Sequence, residues 1–101
     1  MLISDENLRG RTVVAADGQT TGEVAAVSID TSTWTIASLK IKLSKTAAEQ
    51  LGASQSLLRA ATIDLPVGMI QSVGDTVLLS VPTLGLRQTV PEADQHEGKV
   101  A

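Results

Sequence analysis

Hydrophobic and polar residues alternate along short stretches of this chain, and clusters of turn residues separate the stretches. The clearest alternation follows Ile36, where three apolar side chains share one face of a predicted strand and three polar ones share the other: Leu39, Ile41, Leu43 and Ser38, Lys40, Lys42. The polar face has two interpretations. It is either a solvated outer face or a basic binding stripe built on Lys40 and Lys42.

A β-hairpin is predicted before this strand. Thr12-Val13-Val14-Ala15 is short and β-branched, and Asp17-Gly18 follows it as a tight-turn dipeptide, since glycine tolerates positive φ. Between Gly22 and Ile29 the alternation fails at Ala25-Ala26, which indicates a β-bulge. This strand closes on Asp30-Thr31-Ser32-Thr33, a cluster typical of a turn.

The second half of the chain begins with a predicted helical insertion. Thr46-Ala47-Ala48-Glu49 has the spacing of a capping box, and Gly52 is a natural helix stop. Leu57-Leu58-Arg59 is expected to continue the insertion. A further strand from Thr62 ends at Pro66, which has no amide to donate and is therefore expected at a sheet edge.

These elements predict an all-β fold, a small antiparallel β-barrel of five to six strands with a short helical insertion. Gly74-Asp75 supplies the last hairpin turn, before a strand from Thr76 to Val81. At 101 residues and 10.5 kDa the chain has room for one small core, which we assign to a domain over residues 1–87. Residues 88–101 are predicted to be a polar, flexible C-terminal tail in which His96 is solvated. Because so small a domain gains stability by pairing, we expect a homodimer.

Composition and charge argue against several classes of function. The chain has 8 Lys and Arg against 11 Asp and Glu, and Trp34 is its single aromatic residue. Nucleic-acid readers need a basic surface, and those of single strands need aromatic faces, so no nucleic-acid partner is expected. The absence of cysteine excludes disulfides. The opening MLISDENLRG lacks the features of a signal peptide, and no run approaches the ~18 apolar residues of a membrane span, so we predict a cytoplasmic protein.

Asp30 is the carboxylate with a candidate catalytic setting. Ile29-Asp30-Thr31-Ser32 resembles the active-site loop of aspartic proteases, in whose homodimeric type two aspartates share one proton. Here Thr33-Trp34 follows where that pattern has a small residue and an acid, and the glycine-rich flap is missing. A turn cap is therefore the favoured role of Asp30. The chain contains no calcium-loop or P-loop motif, so no metal, nucleotide or other cofactor is expected.

Trp34 lies just past the predicted turn, in a chain without Phe or Tyr. One interpretation is that its side chain plugs an end of the barrel. The other is that it anchors an interface with a protein partner or a second subunit, as tryptophans often do. Trp34, Lys40 and Lys42 are therefore the candidate protein-interaction residues.

The ordered set of elements resembles the PRC-barrel domain, the β-barrel of the photosynthetic reaction centre H subunit, of the ribosome maturation factor RimM and of small stand-alone prokaryotic proteins. The likeness covers most of the chain and is carried by Leu8 to Val14, Asp17-Gly18, Gly22-Glu23-Val24, Val27 to Asp30, Ile63 to Pro66 and Ile70 to Leu79. Trp34 departs from it, because the family usually has a glycine or a polar residue after the Asp turn.

The resemblance implies a non-enzymatic adaptor, because PRC-barrel domains bind protein partners in ribosome assembly, photosynthetic complexes or archaeal division rings and are not known for catalysis. We therefore predict a homodimeric protein-interaction module without a cofactor, and the resemblance does not identify its partner. Two alternatives stay open. One is an aspartic-protease-like homodimer that uses Asp30, and the other is a small-ligand-binding barrel with an internal apolar cavity.

Overall fold

A computed structural model of the chain describes residues 2–53 and 61–89. Within these ranges the strands are β1 (Thr12–Val14), β2 (Thr20–Asp30), β3 (Thr35–Leu43), β4 (Thr62–Pro66), β5 (Ile70–Val73) and β6 (Thr76–Leu79). The described helices are α1 (Asp5–Leu8), α2 (Lys45–Leu51) and two 3-10 helices, η1 (Val67–Met69) and η2 (Thr83–Thr89). The predicted all-β class with a short helical insertion is confirmed. The predicted continuation Leu57-Leu58-Arg59, His96 and the rest of the chain after residue 89 lie outside the described residues.

The strands form one mixed sheet with the order β4-β3-β2-β1-β6-β5. Neighbouring strands are antiparallel except β1 and β6, which pair in parallel. The sequence indicated antiparallel pairing throughout, because hairpin turns are visible locally, whereas this pair joins strands from distant parts of the chain. The hydrogen-bonded sheet is open, and β4 and β5 are its edges.

The chain itself bridges the two edges of the sheet. β3 and β6 both run in the direction of β1. β4 is antiparallel to β3 and β5 is antiparallel to β6, so β4 and β5 also run in the same direction. Only η1 separates them, so residues 62–73 form one bent strand that pairs first with β3 and then with β6. Pro66 closes the first half of this strand at an edge position, as predicted. The sheet must therefore coil into a barrel-like shape that brings its edges together at η1.

The concave face of the coiled sheet packs around the hydrophobic core. Five strands contribute buried aliphatic side chains to it: Val13, Val24, Leu39, Ile41, Leu43, Ile63, Leu65, Val77 and Leu79. β3 shows the predicted alternation, and both of its lysines are on the exposed side. The helices α2 and η2 contact each other and add Ala47, Ala48, Leu51 and Leu86 to the same cluster.

α2 begins earlier than the capping-box prediction. Ser44 is its N-cap, and the Ser44 hydroxyl accepts a hydrogen bond from the Ala47 amide at 3.1 Å. Thr46, the predicted cap, lies exposed in the first turn. The hydroxyls of Ser44 and Thr46 can both cap a helix. Ser44 is the cap because β3 ends at Leu43 and the helix begins directly after it. Gly52 ends the helix in the left-handed conformation with a φ of 70°, as predicted.

β2 and β3 extend beyond the rest of the sheet as a two-stranded β-arm, which comprises residues 27–38. β2 pairs with β1 only as far as Glu23, and β3 pairs with β4 only from Ser38 onward. Every residue from 28 to 37 is exposed. The predicted bulge is confirmed by a register shift between Val24 and Ala26, close to the base of the arm. Such a bulge bends the strand away from the sheet.

Asp17 joins the first hairpin turn to η2. Its carboxylate accepts hydrogen bonds from the Gln19 amide at 3.2 Å and from the amide and hydroxyl of Thr83 at 3.2 and 3.3 Å. These bonds, first among them the one from Gln19, hold the pKa of Asp17 below its ordinary value of 3.8. Leu86 of η2 is 1% exposed, so this helix packs into the core. The domain boundary after residue 87 stays a prediction.

Candidate functional site

Trp34 occupies the turn of the β-arm in a backbone conformation that is rare for a large side chain. Its φ is 57°, the one positive value outside glycine in the part of the chain that the structure describes. The Trp34 amide donates to the Asp30 carbonyl at 2.7 Å, which closes the turn. The residue is 77% exposed, which excludes the interpretation of Trp34 as a barrel plug. A left-handed conformation costs a non-glycine residue about 1–2 kcal/mol, and little packing in the free chain compensates for it.

Asp30 caps the same turn. One oxygen of its carboxylate accepts hydrogen bonds from the Ser32 amide at 2.9 Å and from the Ser32 hydroxyl at 2.6 Å. These bonds, above all the one from the hydroxyl, hold the pKa of Asp30 below its ordinary value of 3.8. A catalytic aspartate pair instead needs one carboxyl that keeps its proton at a raised pKa. The geometry therefore supports the predicted turn cap.

An apolar groove of about 510 Å³ lies between α1 and the β-arm. We call it the arm groove, and its lining includes Ile3, Leu8, Arg9, Val27, Ile29 and Ile36. Ile29 and Ile36 are cross-strand partners that are 54% and 43% exposed. They form a contiguous apolar patch, and such patches mark interaction sites more often than scattered surface side chains do.

A second cavity of about 360 Å³ continues from the arm groove toward η1 and β5. Ile3, Leu8 and Ile36 line both cavities. The second one adds Val67, which is 42% exposed, and Ile70. The apolar surface therefore runs from the β-arm to the corner at which the bent strand crosses between the sheet edges.

Polar contacts fix α1 as one wall of the arm groove. The Ser4 hydroxyl caps the helix and accepts from the Asn7 amide at 3.1 Å. The Arg11 guanidinium donates to the Asn7 carbonyl at 2.8 Å and also to the carbonyl of Gly74, in the turn between β5 and β6. Because these contacts tie the helix to the sheet, the groove is formed before anything binds in it.

A comparison with family models covers both halves of this fold. The model of the PRC-barrel domain matches residues 1–86. The chain belongs to the PRC-barrel family. The resemblance inferred from the sequence is thereby confirmed. A comparison with curated proteins gives no match.

Lys40 and Lys42 lie on the outer face of β3 in this PRC barrel. The Lys42 ammonium is 3.9 Å from a carboxylate oxygen of Glu23, and Lys40 stands opposite Asp64 in the β3–β4 register. Acidic side chains on both neighbouring strands thus offset the basic stripe. The two lysines lie on the sheet, whereas Trp34 lies at the end of the arm. An interaction role for the lysines stays a prediction.

Sequence reasoning missed the arm groove. One signal was available, because Ile29 and Ile36 flank the turn on either side and were candidates for one face of a hairpin. Ile3 and Leu8 carried no such signal. Leu8 reaches the PRC-barrel groove through the contacts between α1 and β2, and Ile3 lies just before this helix. No local pattern encodes these contacts.

Residues 2–53 and 61–89 of this PRC barrel contain no group of three or more acidic or histidine side chains that could hold a metal ion. The same ranges contain no helix long and apolar enough to cross a membrane.

Proposed function

We propose that this PRC barrel is a non-enzymatic protein-interaction module, an adaptor that acts as a homodimer through its β-arm and arm groove. The observation that carries the proposal is Trp34, which is 77% exposed in a left-handed backbone conformation. Residues in sparsely populated conformations cluster at sites where the conformation serves function. An interface that buries the indole gives this residue the packing that it lacks in the free chain.

The surface around Trp34 supports the same conclusion. Ile29, Ile36 and Val67 expose between 42% and 54% of their area around connected apolar cavities. Burial of such side chains contributes about 25 cal/mol per Å² of apolar surface removed from water. A domain of this size leaves a large fraction of its surface exposed, so pairing adds to its stability.

The non-enzymatic part of the proposal rests on Asp30 and on the family. The Asp30 carboxylate is engaged by Ser32 in the turn and has a lowered pKa. We therefore expect no cleavage when the chain is incubated at acid pH with a broad peptide library. Cleavage that disappears in the Asp30→Asn variant would overturn this part of the proposal.

Light scattering after gel filtration tests the homodimer over low to high micromolar concentrations. We expect the mass to rise with concentration from 10.5 kDa toward twice that value. Ile36→Thr, in the groove, should keep the chain monomeric. The matched control is Leu78→Thr on β6, because Leu78 is 41% exposed, close to the 43% of Ile36, and it should dimerise like the wild type. A wild-type mass that stays at 10.5 kDa at the highest concentration would refute the homodimer.

A further inference from the structure

We propose that the arm groove of each copy binds the Trp34 indole of the other copy, so that two identical contacts close the dimer. This inference rests on the proposed homodimer and names the group that fills its groove. It goes beyond association through an apolar patch, because it fixes which side chain enters which cavity.

The chemistry of the groove matches an indole. Most of its lining is aliphatic, and the rest includes Arg9, whose guanidinium donates hydrogen bonds to Asp5 at 2.5, 3.2 and 3.3 Å. A guanidinium beside an aromatic face provides a cation–π contact. The Asp5 carboxylate also lines the groove and has further lone pairs to accept the indole N–H. A buried tryptophan needs such a partner for its one polar atom.

The size of the groove also fits. Its volume of about 510 Å³ lies within the range of roughly 300–1,000 Å³ that small-molecule pockets occupy. The groove therefore has room for one indole side chain. Trp34 is the single aromatic residue of the chain, so no other side chain of a second copy offers an aromatic ring.

The position of the groove on the β-arm favours a second copy as the occupant. Trp34 is 77% exposed and is not among the residues that line its own groove. Ile29 and Ile36 place the groove wall on the same arm that carries Trp34. A two-fold axis that brings one indole into the second groove therefore brings the other indole into the first. Such a contact is self-complementary and closes on itself.

Charge does not oppose this arrangement. Asp30 is the only charged residue among residues 27–38. In the groove, Arg9 forms an ion pair with Asp5, so its two charged lining residues neutralise each other. Two arms that meet across a two-fold axis therefore bring only one carboxylate each, Asp30, to a groove whose charged side chains cancel.

The contact area sets the expected strength. Two indoles bury roughly 300–500 Å² in total, against about 1,600 Å² for a standard stable interface. The walls of the arms and grooves must supply the remainder. We therefore expect a dimer that dissociates on dilution through the micromolar range, with Trp34 as its main anchor.

Fluorescence of the full chain tests the inference directly, because all of its aromatic emission comes from Trp34. On dilution, the emission maximum should shift to the red at the same concentrations at which the mass falls. Quenching by iodide should increase over the same range. Trp34→Asn should weaken dimerisation about 30-fold or more, as expected for an interface hot spot.

A mixing experiment distinguishes insertion of the Trp34 indole into the second copy from burial of the indole anywhere else. The Trp34→Asn chain has an intact groove and no aromatic emission, so it is a dark partner. When it is added to the Ile36→Thr chain, whose own groove is altered, the emission of the latter should shift to the blue. A dark partner that also carries Ile36→Thr should give no shift. If Ile36→Thr does not fold, Ile3→Ser takes its place, since Ile3 lies outside the strands and lines the same groove.

The possible failures are distinguishable. A chain that stays monomeric refutes both the proposed homodimer and this inference. A dimer in which Trp34 keeps the emission and quenching of the monomer refutes the inference and leaves the homodimer intact. The same holds if Trp34→Asn dimerises as tightly as the wild type, or if the dark partner causes no blue shift.

Discussion

Replacing Trp34 with glycine should barely change the stability of the monomer, although a tryptophan is lost. About a quarter of the residue is covered, since 77% is exposed. If full burial of the side chain removes ~250 Å² from water, this fraction corresponds to about 60 Å², or about 1.5 kcal/mol of lost burial. Glycine adopts the left-handed conformation without strain, which adds about 1–2 kcal/mol to the free energy of unfolding. The net change in the free energy of unfolding is thus within about 1 kcal/mol of zero, against the 3–5 kcal/mol typical of a buried tryptophan.

Comparing Trp34→Gly with Trp34→Ala isolates the effect of the backbone conformation on the free energy of unfolding. Alanine and glycine both remove the indole, but only alanine keeps the Cβ that opposes a φ of 57°. We expect the glycine variant to be more stable than the alanine variant by about 0.5–1 kcal/mol, the reverse of their usual order. Trp34→Asn should resemble the glycine variant, because asparagine tolerates this conformation.

Urea unfolding followed by far-UV circular dichroism measures these differences, at a concentration low enough to keep every variant monomeric. Circular dichroism is needed because the variants lack the only fluorophore. A glycine variant that is less stable than the alanine variant would refute the left-handed strain. A loss of about 3 kcal/mol in both would show that the indole is packed in the free chain.

Three further predictions concern the scaffold. Asp17→Asn should lower the melting temperature at neutral pH. The pKa of Asp17 is lowered in the folded state, so the stability that its carboxylate adds is fully present above the ordinary pKa of 3.8. In thermal melts recorded at a series of pH values, the difference in melting temperature between wild type and variant should vanish as the pH falls through the folded pKa. Gly22→Ala should lower the free energy of unfolding in urea by at least about 2 kcal/mol, because the added Cβ would lie 2.0 Å from a carbonyl oxygen of β3. Gly74→Ala is the control, because a Cβ at Gly74 meets open space and should change this free energy little. Ser44→Ala should cost about 1 kcal/mol by removing the α2 cap, and Thr46→Ala should stay within about 0.5 kcal/mol of the wild type.

The features that could be predicted from the sequence are those set by neighbouring residues. Asp17-Gly18 specified the first hairpin turn, because glycine there takes a φ of 86° at no steric cost. Ala25-Ala26 revealed the bulge through a break in the alternation. Asp30 revealed its capping role, because its side chain reaches Ser32 two residues away. Each of these depends on chemistry within a few positions along the chain.

The remaining features depend on residues that are distant in sequence. The parallel pair of β1 and β6 joins Thr12 to Thr76, and no turn signal marks such a contact. The arm groove combines α1 with the β-arm, and its extension adds η1 and β5. The exposure of Trp34 also escaped prediction, because a residue next to a turn can point into or away from the core. Only the three-dimensional arrangement decides between the two.

The bent strand has a consequence for aggregation. Unpaired strand edges invite other chains to add strands and grow fibres. Here the two outermost strands of the sheet belong to residues 62–73. One half stops at Pro66, and the other spans only Ile70–Val73 with a register shift between Ile70 and Ser72. Neither half presents a long straight row of amides and carbonyls to a neighbouring chain. The unpaired backbone of this sheet therefore lies mainly along the β-arm, where β2 after Glu23 and β3 before Ser38 have no further partner among the described strands. The proposed two-fold contact would place a second copy against this arm.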